Sequence, residues 1–170
     1  MFLDQPISLI QPFGCALFIL LFIQPGCSQN NDQREFERAA FSEPNGITVT
    51  NNQGGVETAD PDDWRIAPFF QGGIYVMPPF PNPVQSNDAI TLEINVWFLD
   101  RITGIYLRVY DPPNIYPVDE RTQITTGSTT FRIDPLLIAT SNRTNPAGLY
   151  RLIIQDENEN VITYGDIEIQ

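Results

Sequence analysis

The 170-residue chain contains no histidine, no lysine and no cysteine after residue 27. Without histidine it cannot form a Ser-His-Asp or Cys-His catalytic site, or a zinc site with imidazole ligands. Its nine arginines face 21 acidic residues, giving a net charge of −12, so we expect no binding to a phosphate backbone or nucleic acid. Because both cysteines, Cys15 and Cys27, lie near the amino terminus, we expect neither a disulfide nor a thiolate metal site in the folded part, and no cofactor.

Long amphipathic helices are also missing, since 15 prolines and 11 glycines are too many for a helical bundle of this length. After Cys27 the chain continues for roughly 140 residues, the size of one ordinary domain. A chain of that size buries about two-thirds of its unfolded surface, so a well-packed core can hold it without disulfides.

A short apolar run near the amino terminus predicts export. Residues 13–23 contain no charged or amide side chain. A transmembrane helix needs about 20 apolar residues, whereas a run of this length matches the core of a secretory signal peptide. We therefore predict a signal peptide over residues 1–26. Pro6, Pro12 and Pro25 disfavour the alternative of a buried amino-terminal helix.

The residues after this run resemble the lipobox of bacterial lipoproteins. Gly26 and Cys27 match the family pattern, although Gln24 and Pro25 stand where that pattern has an aliphatic and a small residue. The resemblance implies cleavage before Cys27 and attachment of a diacylglyceryl group to its thiol, which anchors a protein stably to a membrane. We then expect a cell-envelope protein held on the outer membrane, on its periplasmic or surface face. The alternative is a signal peptide cleaved without lipid attachment.

Residues 27–61 are predicted to form a flexible, lipid-anchored spacer. The segment is rich in Asn, Gln, Asp, Glu and Gly, so it buries too little apolar surface to offset its ordering entropy. Within it, Glu35–Phe41 is compatible with one or two helical turns. The β-branched alternation of Ile47–Thr50 is compatible with a short strand.

Four carboxylates gather where this spacer ends: Glu57, Asp60, Asp62 and Asp63. Clustered carboxylates can bind calcium. The group lacks EF-hand spacing, however, and an Asp-Pro-Asp sequence is typical of turns. We therefore expect a turn and no metal site.

Residues 62–170 show the pattern of an all-β domain. Between Ile90 and Phe98 apolar residues alternate with polar ones, which indicates a strand with one buried face. Strands are predicted over residues 73–77, 89–98, 104–110, 129–133, 149–154 and 161–169, with a helical turn over 134–139. This series favours an immunoglobulin-like β-sandwich of about six or seven strands, preceded by the flexible segment. A small closed barrel is the alternative.

A second resemblance covers residues 79–170. Phe80–Val84, a strand ending at Tyr110-Asp111 and the segment 147–152 are similar to motifs of the carboxy-terminal sorting domains of Bacteroidota secretion systems (Por, or type IX). Those domains are small immunoglobulin-like sandwiches. The resemblance implies the same fold and a role as a substrate or sorting-type module of such a system.

Two sets of side chains are candidates for a site. Trp97, Tyr106, Tyr110 and Tyr116 could form an interaction surface for a glycan or a cell-envelope protein, or they could pack against their neighbours. The carboxylates of residues 119–120 and 156–159 could in principle perform acid-base chemistry, but their polar context predicts solvated turns.

We expect a non-enzymatic, exported lipoprotein acting as a structural or interaction module. The secretion-system module is the first alternative. An acidic hydrolase is the second, and it requires a buried carboxylate pair within catalytic reach.

Overall fold

The computed structural model describes residues 28–98, 102–139 and 143–170, with side chains from residue 31 onward. The predicted signal peptide (1–26) and Cys27 lie outside the described residues. The helices are α1 (Ser28–Ala40), a 3-10 helix (Pro68–Phe70) and α2 (Pro135–Ile138). The strands are β1 (Val49–Thr50), β2 (Val56–Thr58), β3 (Ile74–Val76), β4 (Ile90–Val96), β5 (Ile105–Asp111), β6 (Asn114–Arg121), β7 (Gly127–Ile133), β8 (Gly148–Gln155) and β9 (Val161–Ile169). Within the described ranges no helix has the length and apolar character needed to cross a bilayer.

The protein is mostly β, and all its strand pairs are antiparallel. One sheet has the order β3-β4-β7, a second has the order β6-β5-β8-β9, and β1 pairs with β2. Leu92 of β4 lies opposite Phe131 of β7. Val109 of β5 lies opposite Leu152 of β8. These registers place the apolar positions of neighbouring strands on the same face.

Both larger sheets contribute to a single hydrophobic cluster. In β4 the residues Ile90, Leu92, Ile94 and Val96 are buried and the residues between them are half-buried, which is the alternation that the sequence predicted. β5 repeats this pattern with Ile105, Leu107 and Val109. The cluster therefore joins the two sheets through their alternate side chains.

Helix α1 packs on the four-stranded sheet on the face opposite to Val109 and Leu152. The ring of Phe36 lies 5.0 Å from that of Tyr164 in β9, and the ring of Phe41 meets that of Tyr110 in β5 edge-on at 5.6 Å. Phe36 and Ala40 are spaced i, i+4 and are both buried, so they form the apolar stripe of the helix. Strands β8 and β9 are consequently covered on both faces.

The structure corrects the prediction of a flexible spacer for residues 28–61. Although this segment has few apolar residues, the side chains of Phe36 and Ala40 are buried. A polar contact to β9 also holds this segment: the Asn45 amide donates to the Asp166 carboxylate at 2.6 Å. These contacts offset the entropy cost of ordering the segment, which its apolar content alone does not offset.

The outer edge of β9 is covered by two segments, one around Trp64 and one around Val84. The amides of Trp64 and Ala67 donate to the carbonyls of Tyr164 and Ile162 at 2.7 and 2.8 Å. Further along, Val84 pairs with Ile169 in a parallel bridge. The carboxy-terminal strand therefore has hydrogen-bond partners on both sides, which protects an edge that would otherwise pair with another chain.

Candidate functional site

The four aromatic residues that the sequence singled out do not share one surface. Trp97 directly follows β4 in the three-stranded sheet, whereas Tyr106, Tyr110 and Tyr116 belong to the four-stranded sheet. Tyr116 lies opposite Val109 and packs against the core. Tyr110 contacts Phe41, as described above. Of the four, Trp97 is the most exposed, at 51%.

Trp97 belongs instead to a group of exposed aromatic side chains, which we call the aromatic patch: Phe69, Tyr75, Trp97 and Phe98. Their side chains are between 47% and 62% exposed. The amides of Trp97 and Phe98 both donate to the Gly73 carbonyl, at 2.9 and 3.4 Å, which holds the end of β4 beside the start of β3. Tyr75 lies opposite Asn95, two residues before Trp97, so Tyr75 and Trp97 are diagonal neighbours on one face of the sheet.

A cavity of about 260 Å³ opens within this patch. Its lining residues are Phe69, Phe70, Gln71, Gly72, Gly73, Phe98 and Ile102. Sequence reasoning missed Phe69 and Tyr75, and it wrongly placed Phe98 on the buried face of its strand, because β4 ends at Val96 and leaves Phe98 exposed. The available signal was the adjacent pair Trp97-Phe98, where the period-2 alternation of β4 ends in two consecutive large apolar residues.

A second set of residues forms a buried polar network, which we call the polar clamp: Asp63, Asn82, Arg151 and Asp166. Arg151 and Asp166 face each other across β8 and β9 in a two-pronged ion pair, with Nε to Oδ1 at 2.7 Å and Nη2 to Oδ2 at 2.8 Å. Burial lowers the pKa of Arg151, but the Asp166 carboxylate raises it above its ordinary value. Nη1 donates to the Ala39 carbonyl at 3.0 Å and to the Ser42 Oγ at 2.7 Å. The guanidinium thus ties the end of α1 to the sheet.

Asp63 occupies the other side of Asp166. Its Oδ1 accepts the Asp166 amide at 3.0 Å, and its Oδ2 accepts the Thr48 amide at 2.7 Å. Desolvation raises the pKa of Asp63 to about 6; the Thr48 hydrogen bond opposes that rise and the Asp166 charge adds to it. The Asp63 carboxylate therefore connects the residue before β1 to β9. Its buried site disfavours the charged form of the carboxylate.

Asn82 completes the clamp with its side-chain amide. Nδ2 donates to the carbonyls of Thr48 and Asp166 at 3.0 and 2.9 Å, and Oδ1 accepts the Glu168 amide at 3.0 Å. Asn82 is fully buried. Since a buried amide costs free energy unless it is hydrogen-bonded, these three bonds explain how the side chain is tolerated there.

The polar clamp holds segments together from a buried position. Asp63 and Asp166 are a buried carboxylate pair, which the hydrolase hypothesis requires. Each of their four oxygens, however, already accepts at least one hydrogen bond from the protein. A general base needs an oxygen within reach of a substrate proton, so the geometry favours a structural role for this pair.

The other acidic groups that the sequence singled out lie in turns or strands: Asp119 and Glu120, predicted to lie in a turn, belong to β6, and Glu57 belongs to β2. Asp60 accepts the Asp62 amide at 2.9 Å, as the predicted turn requires. In the β8–β9 connection the Asp156 Oδ1 accepts the amides of Asn158 and Asn160. Asp156 was expected to be solvated but is buried, because its carboxylate organises the loop around itself. Among the described residues no three His, Cys, Asp or Glu side chains are grouped to hold a metal ion.

Comparison with known proteins adds little. No protein-family model and no curated protein matches the chain. One solved structure, described as the crystal structure of beta-D-glucoside glucohydrolase from Trichoderma reesei, is similar over 57% of this chain and 18% of that chain. The identity is 10% and the TM-score is 0.34, a likeness too slight to indicate the fold or the activity of this chain.

Proposed function

We propose that the protein is an exported, non-enzymatic lipoprotein of the cell envelope, anchored to the outer membrane through Cys27. One observation carries this proposal: the apolar run of residues 13–23 is followed by Gly26-Cys27, and helix α1 begins at the next residue, Ser28. A lipid on Cys27 would therefore connect almost directly to a folded body. That body acts as a structural or interaction module facing the periplasm or the cell surface.

We further propose that the body is an immunoglobulin-like β-sandwich. The three-stranded and four-stranded sheets are separate in their hydrogen bonding, and both supply alternate side chains to one core. This arrangement supports a sandwich over a closed barrel, in which strands pair continuously around a ring. The burial of Asp63 and Asp166, and the hydrogen bonds that each of their oxygens accepts from the protein, support a non-enzymatic role.

Substitution of each cysteine in turn tests the anchor. In the native host, Cys27→Ser should leave a longer, unprocessed chain, because lipoprotein signal peptidase requires the acylated cysteine. Cys15→Ser is the matched control, since Cys15 lies inside the apolar run, and it should be processed normally. Gel mobility and membrane fractionation report both results. Normal processing of the Cys27→Ser chain would exclude the lipoprotein assignment.

A second candidate is a sorting-type module of a Bacteroidota secretion system, favoured by the placement of Phe80–Val84. Within this family-like segment Asn82 bridges Thr48 and β9. Deleting the last strand would unfold the protein, because β9 pairs with β8 and with the segments around Trp64 and Val84. The appropriate test fuses residues 28–170 to a periplasmic reporter in a host with the secretion system. A reporter that stays in the periplasm would rule out this candidate.

A further inference from the structure

We propose that the aromatic patch (Phe69, Tyr75, Trp97 and Phe98) rests on the lipid surface beside the acylated Cys27, in the interfacial zone between headgroups and acyl chains. This inference depends on the proposed lipid anchor and adds an orientation to it. The protein would contact its membrane in two places: covalently through the lipid and non-covalently through the patch.

The first observation is that α1 begins next to the patch. Gln33, in the second turn of α1, accepts the amide of Phe69 through its Oε1 at 3.1 Å. Its Nε2 contacts the carbonyl of Val161, the first residue of β9, at 3.4 Å. Cys27 precedes Gln33 by six positions. Even a fully extended chain of six residues spans only about 20 Å. A lipid on Cys27 would therefore be attached within about 20 Å of chain from the contact between Gln33 and Phe69.

The second observation is that the other patch residues lie at this same end of the molecule. Phe98 and Phe69 line one cavity, together with Ile102 just before β5. Trp97 and Phe98 are held to Gly73 by their backbone amides. The end of β4, the start of β3 and the first turns of α1 thus lie at one end of the molecule.

The third observation is the chemistry of these side chains. Tryptophan and tyrosine have an apolar ring and one polar group, which suits the boundary between hydrocarbon and water. Phenylalanine adds apolar area that gains free energy on leaving water. A lipid on Cys27 would keep the bilayer permanently close to the patch. The effective concentration of lipid is then high, so the patch contacts the bilayer even if its affinity for lipid is low. A soluble partner would have no such advantage.

The charge of the molecule specifies the kind of lipid surface. The chain carries a net charge of −12, and the exposed Glu157 and Glu159 lie in the β8–β9 connection, next to Val161 and the patch end of α1. These charges are repelled by anionic headgroups. We therefore infer contact with a zwitterionic surface, such as phosphatidylcholine or phosphatidylethanolamine. The contact should be insensitive to salt, because it is apolar.

The test uses the exposure difference between the two tryptophans. Trp97 is half-exposed, whereas Trp64 is buried. The mature protein, extracted from membranes, is reconstituted in phosphatidylcholine vesicles with brominated acyl chains, which quench nearby indoles. The wild-type emission should be quenched, and Trp97→Phe should lose that quenching. Added phosphatidylglycerol should reduce the quenching.

Two further variants separate membrane contact from general effects. Phe98→Ser should lower the quenching by about half or more, since it removes the most exposed apolar ring of the patch. Ile115→Ser is the matched control, because Ile115 is also exposed, at 42%, but lies near the start of β6, opposite Tyr110 and far from the patch end of β5. It should leave the quenching unchanged.

The possible outcomes distinguish this inference from the lipid anchor. If intact mass shows acyl chains but aqueous iodide quenches Trp97 and bromolipid does not, the patch faces water and the inference is wrong while the anchor stands. In that case the partner of the patch would be a glycan or a protein and not lipid. If intact mass shows no acyl chain, the anchor and the inference fall together.

Discussion

Asp63 lies in an environment that disfavours the charged form of its side chain. Its side chain is buried, and desolvation raises its pKa from 3.8 to about 6. The native state therefore binds a proton more tightly than the unfolded chain does. Its stabilising contribution is fully present below about pH 4 and is lost as the pH rises through 6. Across that window the free energy of unfolding should fall by about 3 kcal/mol on account of this group.

Asp63→Asn should flatten this part of the pH dependence, because an amide does not titrate. The amide also replaces one acceptor oxygen by a donor, so a hydrogen bond from Thr48 or Asp166 is lost at every pH. Urea unfolding followed by tryptophan fluorescence between pH 4 and 7 measures the slope. Asp62→Asn, at the exposed neighbouring position, should keep the wild-type slope. A steep slope that persists in Asp63→Asn would assign the titration to another group.

Gly165 is required because the indole of Trp64 lies directly against its Cα. A Cβ at this position would overlap the Trp64 ring. Gly165→Ala should therefore destabilise the protein by about 1–3 kcal/mol through overpacking. At Gly73 a Cβ would meet only the Phe70 carbonyl, at an ordinary 3.5 Å, so Gly73→Ala should change the urea midpoint little. Equal midpoints for the two variants would contradict the close packing of Trp64 on β9.

At the scale of elements, α1 is held to the sheet by the polar clamp as much as by its apolar side chains. Arg151→Met should cost about 3–5 kcal/mol, because it leaves the buried Asp166 charge without its partner. It should also speed hydrogen exchange at the Asn45 amide, which donates to Asp166. Arg121→Met is the control: its ion pair with Asp119 is partly solvent-exposed, at 42% and 30%, and worth under about 1 kcal/mol. Similar losses in both variants would mean that the buried pair has no special role.

The strands that sequence patterning predicted are those with an apolar face. β4 and β5 alternate strictly, and the structure confirms both within one or two residues of their predicted ends. β6 was missed because it is an edge strand whose side chains are largely exposed and which contains Pro117. The bulge lies in β6 beside this proline: Leu107 pairs with Asp119 and Arg108 with Pro117, which leaves Val118 as the extra residue.

Helix α1 and the polar clamp could not be predicted from local composition. Phe36 and Ala40 are too few to indicate a docked helix on their own. One signal was available elsewhere: Leu152-Ile153-Ile154 is a continuous apolar run, which indicates a strand covered on both faces. The contacts of Asp63, Asn82 and Asp166 join residues far apart in sequence, so spacing could not reveal them.

At the scale of the whole molecule, the segment after Cys27 changes the proposed mode of anchoring. A flexible spacer would let the body tumble at a distance from the membrane. Helix α1 instead begins at Ser28 and is fixed to β9 through Phe36 and Tyr164. A lipid on Cys27 would then hold the body close to the bilayer, with the aromatic patch toward it.

The intact mass of the native protein, extracted from its membranes, shows whether Cys27 carries a lipid. We expect a chain that begins at Cys27 and carries the additional mass of a diacylglyceryl group. A chain that still begins at Met1 with an unmodified Cys27 thiol would contradict it.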